Sequence, residues 1–158
     1  MGVKVEKYDA IPEISHADAI TLLEKDKTQS DLDPTDEAKL CEYAKSTFNS
    51  DYIFITNLPT EKRPFYEKEN CGFVLLSNGI EIASGGEHIS DYEEQLDSIK
   101  NHGYDTADYE VFLSAHKYAL PPIGGAGIGL ERFLMALLKL DNIRSATLFT
   151  RDLHYLIP

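Results

Sequence analysis

A glycine-rich segment that leads directly into a helix-forming run constrains this chain more than any other feature. Residues 124–129 read Gly-Gly-Ala-Gly-Ile-Gly, and an uninterrupted series of helix-forming residues, Leu130 to Leu140, follows at once. Because side chains alternate across a strand, Gly125, Gly127 and Gly129 leave one face bare, so a bulky ligand can approach the backbone closely. The pattern predicts a strand that turns into a helix and carries an open face.

Arg132 lies at the start of the predicted helix. Its planar, permanently charged guanidinium suits bidentate phosphate contact and stacking on an aromatic ring, which makes this corner a candidate nucleotide-phosphate site. A tightly packed strand-to-helix corner with an exposed arginine fits the spacing equally well. The segment is neither a dinucleotide-binding fingerprint nor a Walker loop, because it lacks the Gly-x-Gly-x-x-Gly spacing and the Gly-Lys-Ser/Thr ending.

The rest of the chain predicts an α+β fold, a mainly antiparallel sheet flanked by helices. Its clearest hairpin is Ser77-Asn78-Gly79 between the apolar runs Gly72 to Leu76 and Ile80 to Ala83, because Asn-Gly favours a two-residue turn. The other predicted elements are a helix from Ser15 or His16 to about Glu24, a helix from Pro34 through Ala44, strands at Tyr52 to Thr56 and Ala146 to Phe149, and helices from Ser90 to about Asn101 and from Thr106 to Tyr118.

For two of these helices the sequence also predicts a start signal or a buried face. Ser90 followed by Glu93 has the spacing of a capping box at a helix start. The helix that opens at Thr106 is expected to turn one set of side chains toward the core: Tyr109, Phe112, Leu113, Ala115 and Tyr118.

Length and composition predict a single globular domain and indicate the compartment in which we expect it. With 158 residues and 42% hydrophobic content, the chain can form one domain with its own core. The apolar runs are far shorter than the roughly 20 residues needed to cross a bilayer, so we expect no membrane span. The start shows no secretory signal, and two widely spaced cysteines, Cys41 and Cys71, suit reduced thiols. We therefore expect a cytoplasmic protein.

The charge balance argues against stand-alone tight binding of nucleic acid. The chain has fifteen basic and twenty-seven acidic residues, which gives a formal charge of -12. The richest basic stretch, Lys62-Arg63, is flanked by Glu61, Glu67 and Glu69. Binding to a phosphate backbone normally needs a basic stripe, because the affinity comes from neutralising phosphates.

The glycine-rich corner also resembles a known motif. Residues 125–135, Gly-Ala-Gly-Ile-Gly-Leu-Glu-Arg-Phe-Leu-Met, resemble motif 3 of the class II aminoacyl-tRNA synthetases. The continuation, Asp141 to Arg144 and then Leu148 to Asp152, is similar to the C-terminal signature of the aspartyl and asparaginyl subgroup. Upstream segments fit in the same order, and the resemblance extends from about Ile11 to Pro158: Pro59 to Tyr66, Gly79 to Gly86 and Tyr118 to Pro122.

The resemblance implies an ATP site with Mg²⁺. Arg132 matches the motif 3 arginine, the catalytic residue that contacts the γ-phosphate and stacks on the adenine. Glu81 and Ser84 match the residues that hold Mg²⁺ and ATP, and oxygen ligands suit that hard cation. Gly127 and Gly129 match the backbone beneath the nucleotide. From the residues alone, a solvated strand charge at Glu81 and a turn-forming role at Ser84 remain alternatives.

This chain also departs from the subgroup at several positions. The subgroup continues its Gly-Gly pair with Gln-Arg, whose arginine clamps the substrate side chain, whereas Glu87 and His88 stand here. An imidazole cannot make the two-pronged carboxylate contact of a guanidinium, so these pocket residues do not favour aspartate. Val74 replaces an acid, Ala126 a phenylalanine and Thr150 a proline.

Motif 1, motif 2 and the anticodon-binding domain have no match in residues 1–158, so the expectation is a single, truncated catalytic core. One hypothesis is the motif 3 half of an amino-acid-activating site, in a synthetase or in a subunit of an asparagine-synthetase-like enzyme. The other is a non-catalytic binding or regulatory module. Missing strands would leave a sheet edge exposed, which predicts a homodimer or a second polypeptide that supplies motif 2. His102, His116 and His154 show no common metal spacing.

Overall fold

The computed structural model describes residues 9–26, 31–59 and 63–150. Among the residues named above, Lys62, His154 and the last two residues of the C-terminal signature, Arg151 and Asp152, lie outside these ranges. The strands are β1 (Glu13–Ser15), β2 (Tyr52–Thr56), β3 (Glu67–Ser77), β4 (Ile80–His88) and β5 (Gly124–Ile128). The helices are α1 (His16–Leu22), α2 (Pro34–Phe48), α3 (Tyr92–Asn101), α4 (Glu110–Lys117) and α5 (Leu130–Leu138), with 3₁₀ turns at Thr106–Tyr109 and Ile143–Ala146.

The five strands form one sheet in the order β1-β2-β3-β4-β5. β1 runs parallel to β2, and every later pair is antiparallel. The α+β class with a mainly antiparallel sheet is therefore confirmed. β1 was not predicted, because three residues are too few to show an alternating pattern. None of the described helices is both long enough and apolar enough to cross a membrane.

The β3–β4 hairpin forms where Asn78-Gly79 predicts it. Both residues have positive φ, 51° and 79°, as a tight hairpin turn requires. Both strands extend further from the turn than predicted, to Glu67 and to His88, because glycines and charged residues there break the apolar pattern.

The core lies between α2 and the sheet. Leu40, Ala44, Ile53, Ile55 and Leu76 are fully buried there. Asp33 and Asp36 form a reciprocal capping box at the start of α2, and Asn49 ends the helix in the left-handed conformation. This packing fixes α2 against one face of β2 and β3.

Three expectations about helix ends and strands were wrong. Asp91, not Ser90, caps α3, because its carboxylate accepts the Glu94 N–H. The last helix ends at Leu138, because Lys139 takes a left-handed conformation with φ 52°. The segment 146–149 is not a strand: Ala146 ends the 3₁₀ turn, the residues after it pair with no described strand, and Leu148 is 93% exposed.

The predicted inward face of α4 was also largely wrong. Among the five residues expected to face the core, only Leu113 is buried, and Tyr118 is 87% exposed. A 3₁₀ turn takes up Thr106–Tyr109, so the α-helix begins at Glu110 and its phase shifts. His116, one turn after Leu113, is buried instead, with Nε2 3.1 Å from the Ile89 carbonyl oxygen. His102 likewise contacts carbonyl oxygens, those of Ser98 and Arg63.

Candidate functional site

One face of β4 and β5 brings the glycines and the polar residues together. In the strand register, Ser84 pairs with Gly127 and Gly86 pairs with Gly125. Paired residues of neighbouring strands project to the same side of a sheet, and so do alternate residues of one strand. We call this side, which carries Ser84, Gly86, Gly125 and Gly127, the glycine face.

The glycines serve different purposes. A Cβ atom on Gly85 would lie 2.1 Å from the carbonyl oxygen of Gly125, so this position permits close packing of β4 on β5. At Gly127 the nearest atom to an added Cβ, the Ser84 carbonyl oxygen, is 4.0 Å away. The glycine face is therefore open at Gly127, as the sequence predicted for a ligand-accessible strand.

Arg132 stands at the end of this face, in the first turn of α5. Its side chain is 55% exposed, so the guanidinium is accessible to a ligand. Nη1 lies 3.4 Å from the backbone carbonyl oxygen of Glu81 and 3.9 Å from the Glu81 carboxylate. A Cβ atom added at Gly129 would lie 3.6 Å from the Cβ of Arg132, so the glycine leaves space beside the Arg132 side chain. The structure thus brings together Arg132, Glu81 and Gly129, three of the predicted residues.

Sequence reasoning missed a second carboxylate in this group, Glu37 on α2. Burial raises the pKa of Glu37, and the Glu81 carboxylate raises it further. The Glu81 backbone N–H and Arg132 act in the opposite direction. Glu37 and Glu81 are distant in sequence and belong to different elements, so no local pattern signals their approach.

A cavity of about 510 Å³ opens on the same glycine face, at the end away from Arg132. We call it the His88 cavity. The His88 ring contacts Tyr66 edge to face, with centroids 5.0 Å apart. Its lining residues come from β3, β4, β5, α4 and the segment before β3: Arg63, Pro64, Tyr66, Glu67, Ser84, Gly85, His88, Phe112, Gly125, Ala126 and Gly127.

A buried ion pair forms one wall of this cavity, and sequence reasoning missed it as well. Arg63 donates through Nε and Nη2 to both carboxylate oxygens of Glu67, with Nη2 2.6 Å from Oε1. Nη2 also lies 3.2 Å from the Gly85 carbonyl oxygen. A Cβ on Gly86 would lie 2.5 Å from Glu67 Oε1, so glycine makes room for the pair. The available signal was opposite charges four residues apart.

The two predicted pocket residues behave differently. Glu87 is exposed and bonds Lys68 with 2.8 Å between Nζ and Oε1, and this hydrogen bond raises the pKa of Lys68. His88 lines the cavity, and its backbone N–H donates to the Ile123 carbonyl. Asp91, which follows, is the helix cap described above. Val74, where the subgroup carries an acid, packs into the core.

The residues present fit a nucleotide with its cation better than a metal alone. No group of three or more metal-ligating side chains occurs within residues 9–26, 31–59 and 63–150. Mg²⁺ is usually held by one or two carboxylates together with substrate phosphates, and Glu81 and Ser84 offer that kind of partial oxygen set. Gly127 adds an open cradle that a Cβ would enter.

The mainly antiparallel sheet carries a bare glycine strand, and the helix that follows begins with an accessible arginine. Comparison with known proteins shows that these features belong to part of a class II synthetase catalytic core. The family described as "tRNA synthetases class II (D, K and N)" matches residues 3–153. The chain belongs to this family.

Two relatives carry the name Aspartate--tRNA(Asp/Asn) ligase. The Aspartate--tRNA(Asp/Asn) ligase of Thermus thermophilus is 42% identical over 156 residues, which cover 94% of this chain and 37% of the relative. The ligase of the same name from Aeropyrum pernix is 35% identical, over 99% of this chain and 39% of the relative. The chain thus spans less than two fifths of the length of these relatives.

Solved structures show the same partial coverage. The aspartyl tRNA synthetase from Entamoeba histolytica superposes with a TM-score of 0.89 at 30% identity, over 96% of this chain and 33% of that protein. The asparaginyl-tRNA synthetase from Pyrococcus horikoshii, complexed with asparaginyl-adenylate, gives 0.84 at 30% identity, over 95% of this chain and 36% of that protein. The fold is therefore part of a class II synthetase core.

Proposed function

We propose that this chain supplies the ATP-facing part of an amino-acid-activating site of the aspartyl/asparaginyl type. The observation that carries this proposal is the position of Arg132, whose accessible guanidinium stands beside Glu81 at the end of the open glycine face. The remaining part of the site would come from the region of the relatives that this sequence does not cover, either in the same protein or in a second polypeptide.

Each residue has a proposed task. Arg132 neutralises phosphate charge, and its planar group stacks on the adenine. Glu81 and Ser84 provide oxygen ligands to Mg²⁺ held with the phosphates. Gly127 and Gly129 let the nucleotide lie against the backbone. Bound ATP supplies the phosphoanhydride that breaks when a carboxylate is activated, and preorganised charges such as Arg132 stabilise the charge that develops.

Calorimetry with MgATP tests the proposal. The wild type is expected to release heat on titration, and Arg132→Ala should weaken binding by about tenfold or more, since hydrogen bonds to charged groups contribute about 1.5–3 kcal/mol. Lys100→Ala is the matched control, because Lys100 is an exposed cation on α3 with a 3.6 Å contact to Asp97. Equal heats for the wild type and Arg132→Ala would remove the nucleotide role.

A non-catalytic binding or regulatory module is the second candidate, whereas a subunit of an asparagine-synthetase-like enzyme would still take part in adenylate formation and belongs with the first. The observation that favours the module is the loss of a guanidinium at position 88, where His88 lines the cavity. ATP–pyrophosphate exchange separates the candidates, because it reports adenylate formation. Exchange with asparagine or aspartate, once the missing region is supplied, supports the activating role; MgATP binding without exchange supports the module.

We also infer that the chain associates with a second copy or with a polypeptide that carries motif 2. β5 is an edge strand among the described residues, and all five of its residues are exposed. Exposed edges and apolar side chains such as Phe149, 71% exposed, favour pairing with another chain. Analytical ultracentrifugation at micromolar concentration should detect self-association, whereas a stable monomer would exclude the homodimer.

A further inference from the structure

The His88 cavity contains a charge pair that is already neutralised. Arg63 is the one cationic side chain among the described lining residues, and Glu67 engages it through both carboxylate oxygens. The Glu67 side chain is only 3% exposed, so water does little to screen it. A ligand that enters therefore meets a wall with no net charge.

The groups left to bind a ligand suit a neutral partner. Arg63 Nη1 has no hydrogen-bond acceptor among the described residues, and the His88 ring nitrogens also have no partner there. A guanidinium N–H donates, and an imidazole that carries one proton donates at one nitrogen and accepts at the other. Together they match a group that both accepts and donates hydrogen bonds.

We propose that the His88 cavity selects an amino acid with a carboxamide side chain, the asparagine class, over one with a carboxylate. This inference rests on the proposed function and adds that the amino acid to be activated binds in the His88 cavity, beside the nucleotide on the same glycine face. A carboxylate here would lie near the buried Glu67 carboxylate with no free cation among the described lining residues, and an unpaired buried charge is costly. A carboxamide can accept from Arg63 and donate to His88 without adding charge.

His88 is the specificity-determining residue in this proposal. Its ring contacts the Tyr66 ring. A Cβ atom added at Gly125 would lie 3.1 Å from His88 Nε2, so the glycine at position 125 leaves room for the imidazole in the cavity. An arginine at position 88 would give the cavity a net positive charge and two donors in a fork, which suits a carboxylate.

Calorimetry with two adenylate analogues tests this selection. The probes are the non-hydrolysable sulfamoyl analogues of asparaginyl-adenylate and aspartyl-adenylate, which differ only in the side chain. The wild type should bind the asparaginyl analogue about tenfold more tightly, a difference of about 1.4 kcal/mol. His88→Arg should reverse or abolish the preference, and His88→Gln, which keeps a neutral donor and acceptor, should retain it. Asn101→Arg adds the same charge at an exposed position of α3 and should change nothing.

The outcomes separate this inference from the proposed function. Equal affinity for the two analogues, or tighter binding of the aspartyl analogue by the wild type, overturns it. Failure to bind either analogue while MgATP still binds also overturns it and leaves the ATP site intact. Failure to bind MgATP itself counts against the proposed function. Thermal denaturation checks that each variant is folded. If His88→Arg does not fold, the preference of the wild type and of His88→Gln for the two analogues tests the inference.

Discussion

The guanidinium Nη1 of Arg132 lies 3.4 Å from the backbone carbonyl oxygen of Glu81 and 3.9 Å from its carboxylate. A helix start and a neighbouring strand thus present a cation and an anion side by side, and both remain accessible to solvent. Exposed ion pairs contribute little to stability, typically about 0–1 kcal/mol. The pair is therefore better suited to binding a ligand than to holding the fold together.

Replacement of Glu81 by glutamine should separate the two proposed roles in the nucleotide site. Glu81→Gln removes a cation ligand, so we expect it to weaken MgATP binding clearly more than binding of ATP in EDTA. Arg132→Ala removes a phosphate contact and should weaken both. Calorimetry with and without Mg²⁺ measures the difference. If Glu81→Gln affected the two titrations equally, the carboxylate would not act through the metal.

Glu37 should make the folded state less stable at neutral pH than a neutral side chain would. Burial and the Glu81 carboxylate raise the pKa of Glu37, so the folded protein holds this proton more tightly than the unfolded chain does. The resulting stabilisation is present below the unfolded pKa and is lost as the pH rises through the folded pKa. Glu37→Gln should therefore be more stable than the wild type at pH 7, by less than about 1 kcal/mol because the group is half exposed.

Urea denaturation at neutral and at acid pH measures this effect as a shift in midpoint at constant slope. The advantage of Glu37→Gln should shrink toward about pH 4, where the glutamate itself takes up a proton. Glu42→Gln, at an exposed position of the same helix, is the control and should show no such pH dependence. A glutamine variant less stable than the wild type at pH 7 would contradict the assignment.

Two glycines of the site should respond oppositely to alanine. Gly85→Ala places a methyl 2.1 Å from the Gly125 carbonyl oxygen, so β5 must move away from β4. We expect a loss of about 1–3 kcal/mol in the free energy of unfolding, as in overpacked cores. Gly127→Ala meets no atom closer than 4.0 Å and should change stability by less than about 0.5 kcal/mol.

MgATP titration gives the complementary result for this pair of variants. The methyl of Gly127→Ala would stand on the open face where the nucleotide is proposed to lie, so affinity should fall although the fold is intact. If Gly127→Ala bound MgATP as well as the wild type, the nucleotide would not lie against this strand. If Gly85→Ala kept full stability, close packing of the two strands would not require glycine.

Local patterns predicted the parts of the fold that local chemistry determines. Asn78-Gly79 predicts the hairpin because its turn needs positive φ at two residues, and the step from Gly129 to Leu130 predicts the strand-to-helix corner. The prediction of a strand at 146–149 was wrong because a short apolar run does not distinguish a strand from an exposed coil. The sheet class followed from the hairpins.

The candidate site was only partly predictable, because much of it depends on tertiary contacts. Arg132 and Gly127 belong to one continuous motif, so the sequence itself places them together. Glu37 reaches Glu81 only through the packing of α2 on the sheet. The bond between Arg63 and the Gly85 carbonyl likewise joins elements that are separate in sequence. No sequence pattern of a single segment could reveal these approaches.

A buried charge pair at the start of α2 should make the fold sensitive to acid. Burial alone would raise the pKa of Asp36, but the bond from Lys25 and the Asp33 backbone N–H together lower it below its usual value. A lowered carboxyl pKa gives stability that is present above the unfolded pKa and is lost as the pH falls through the folded pKa.

Asp36→Asn should cost about 2 kcal/mol at pH 7, since hydrogen bonds to charged groups are worth about 1.5–3 kcal/mol. Urea unfolding should show the gap to the wild type narrowing as the pH falls below the usual carboxyl pKa, because the wild type then progressively loses the charge as well. Asp97→Asn, at a side chain that is 70% exposed, should cost almost nothing, and equal losses for the two variants would refute a special role for the buried pair.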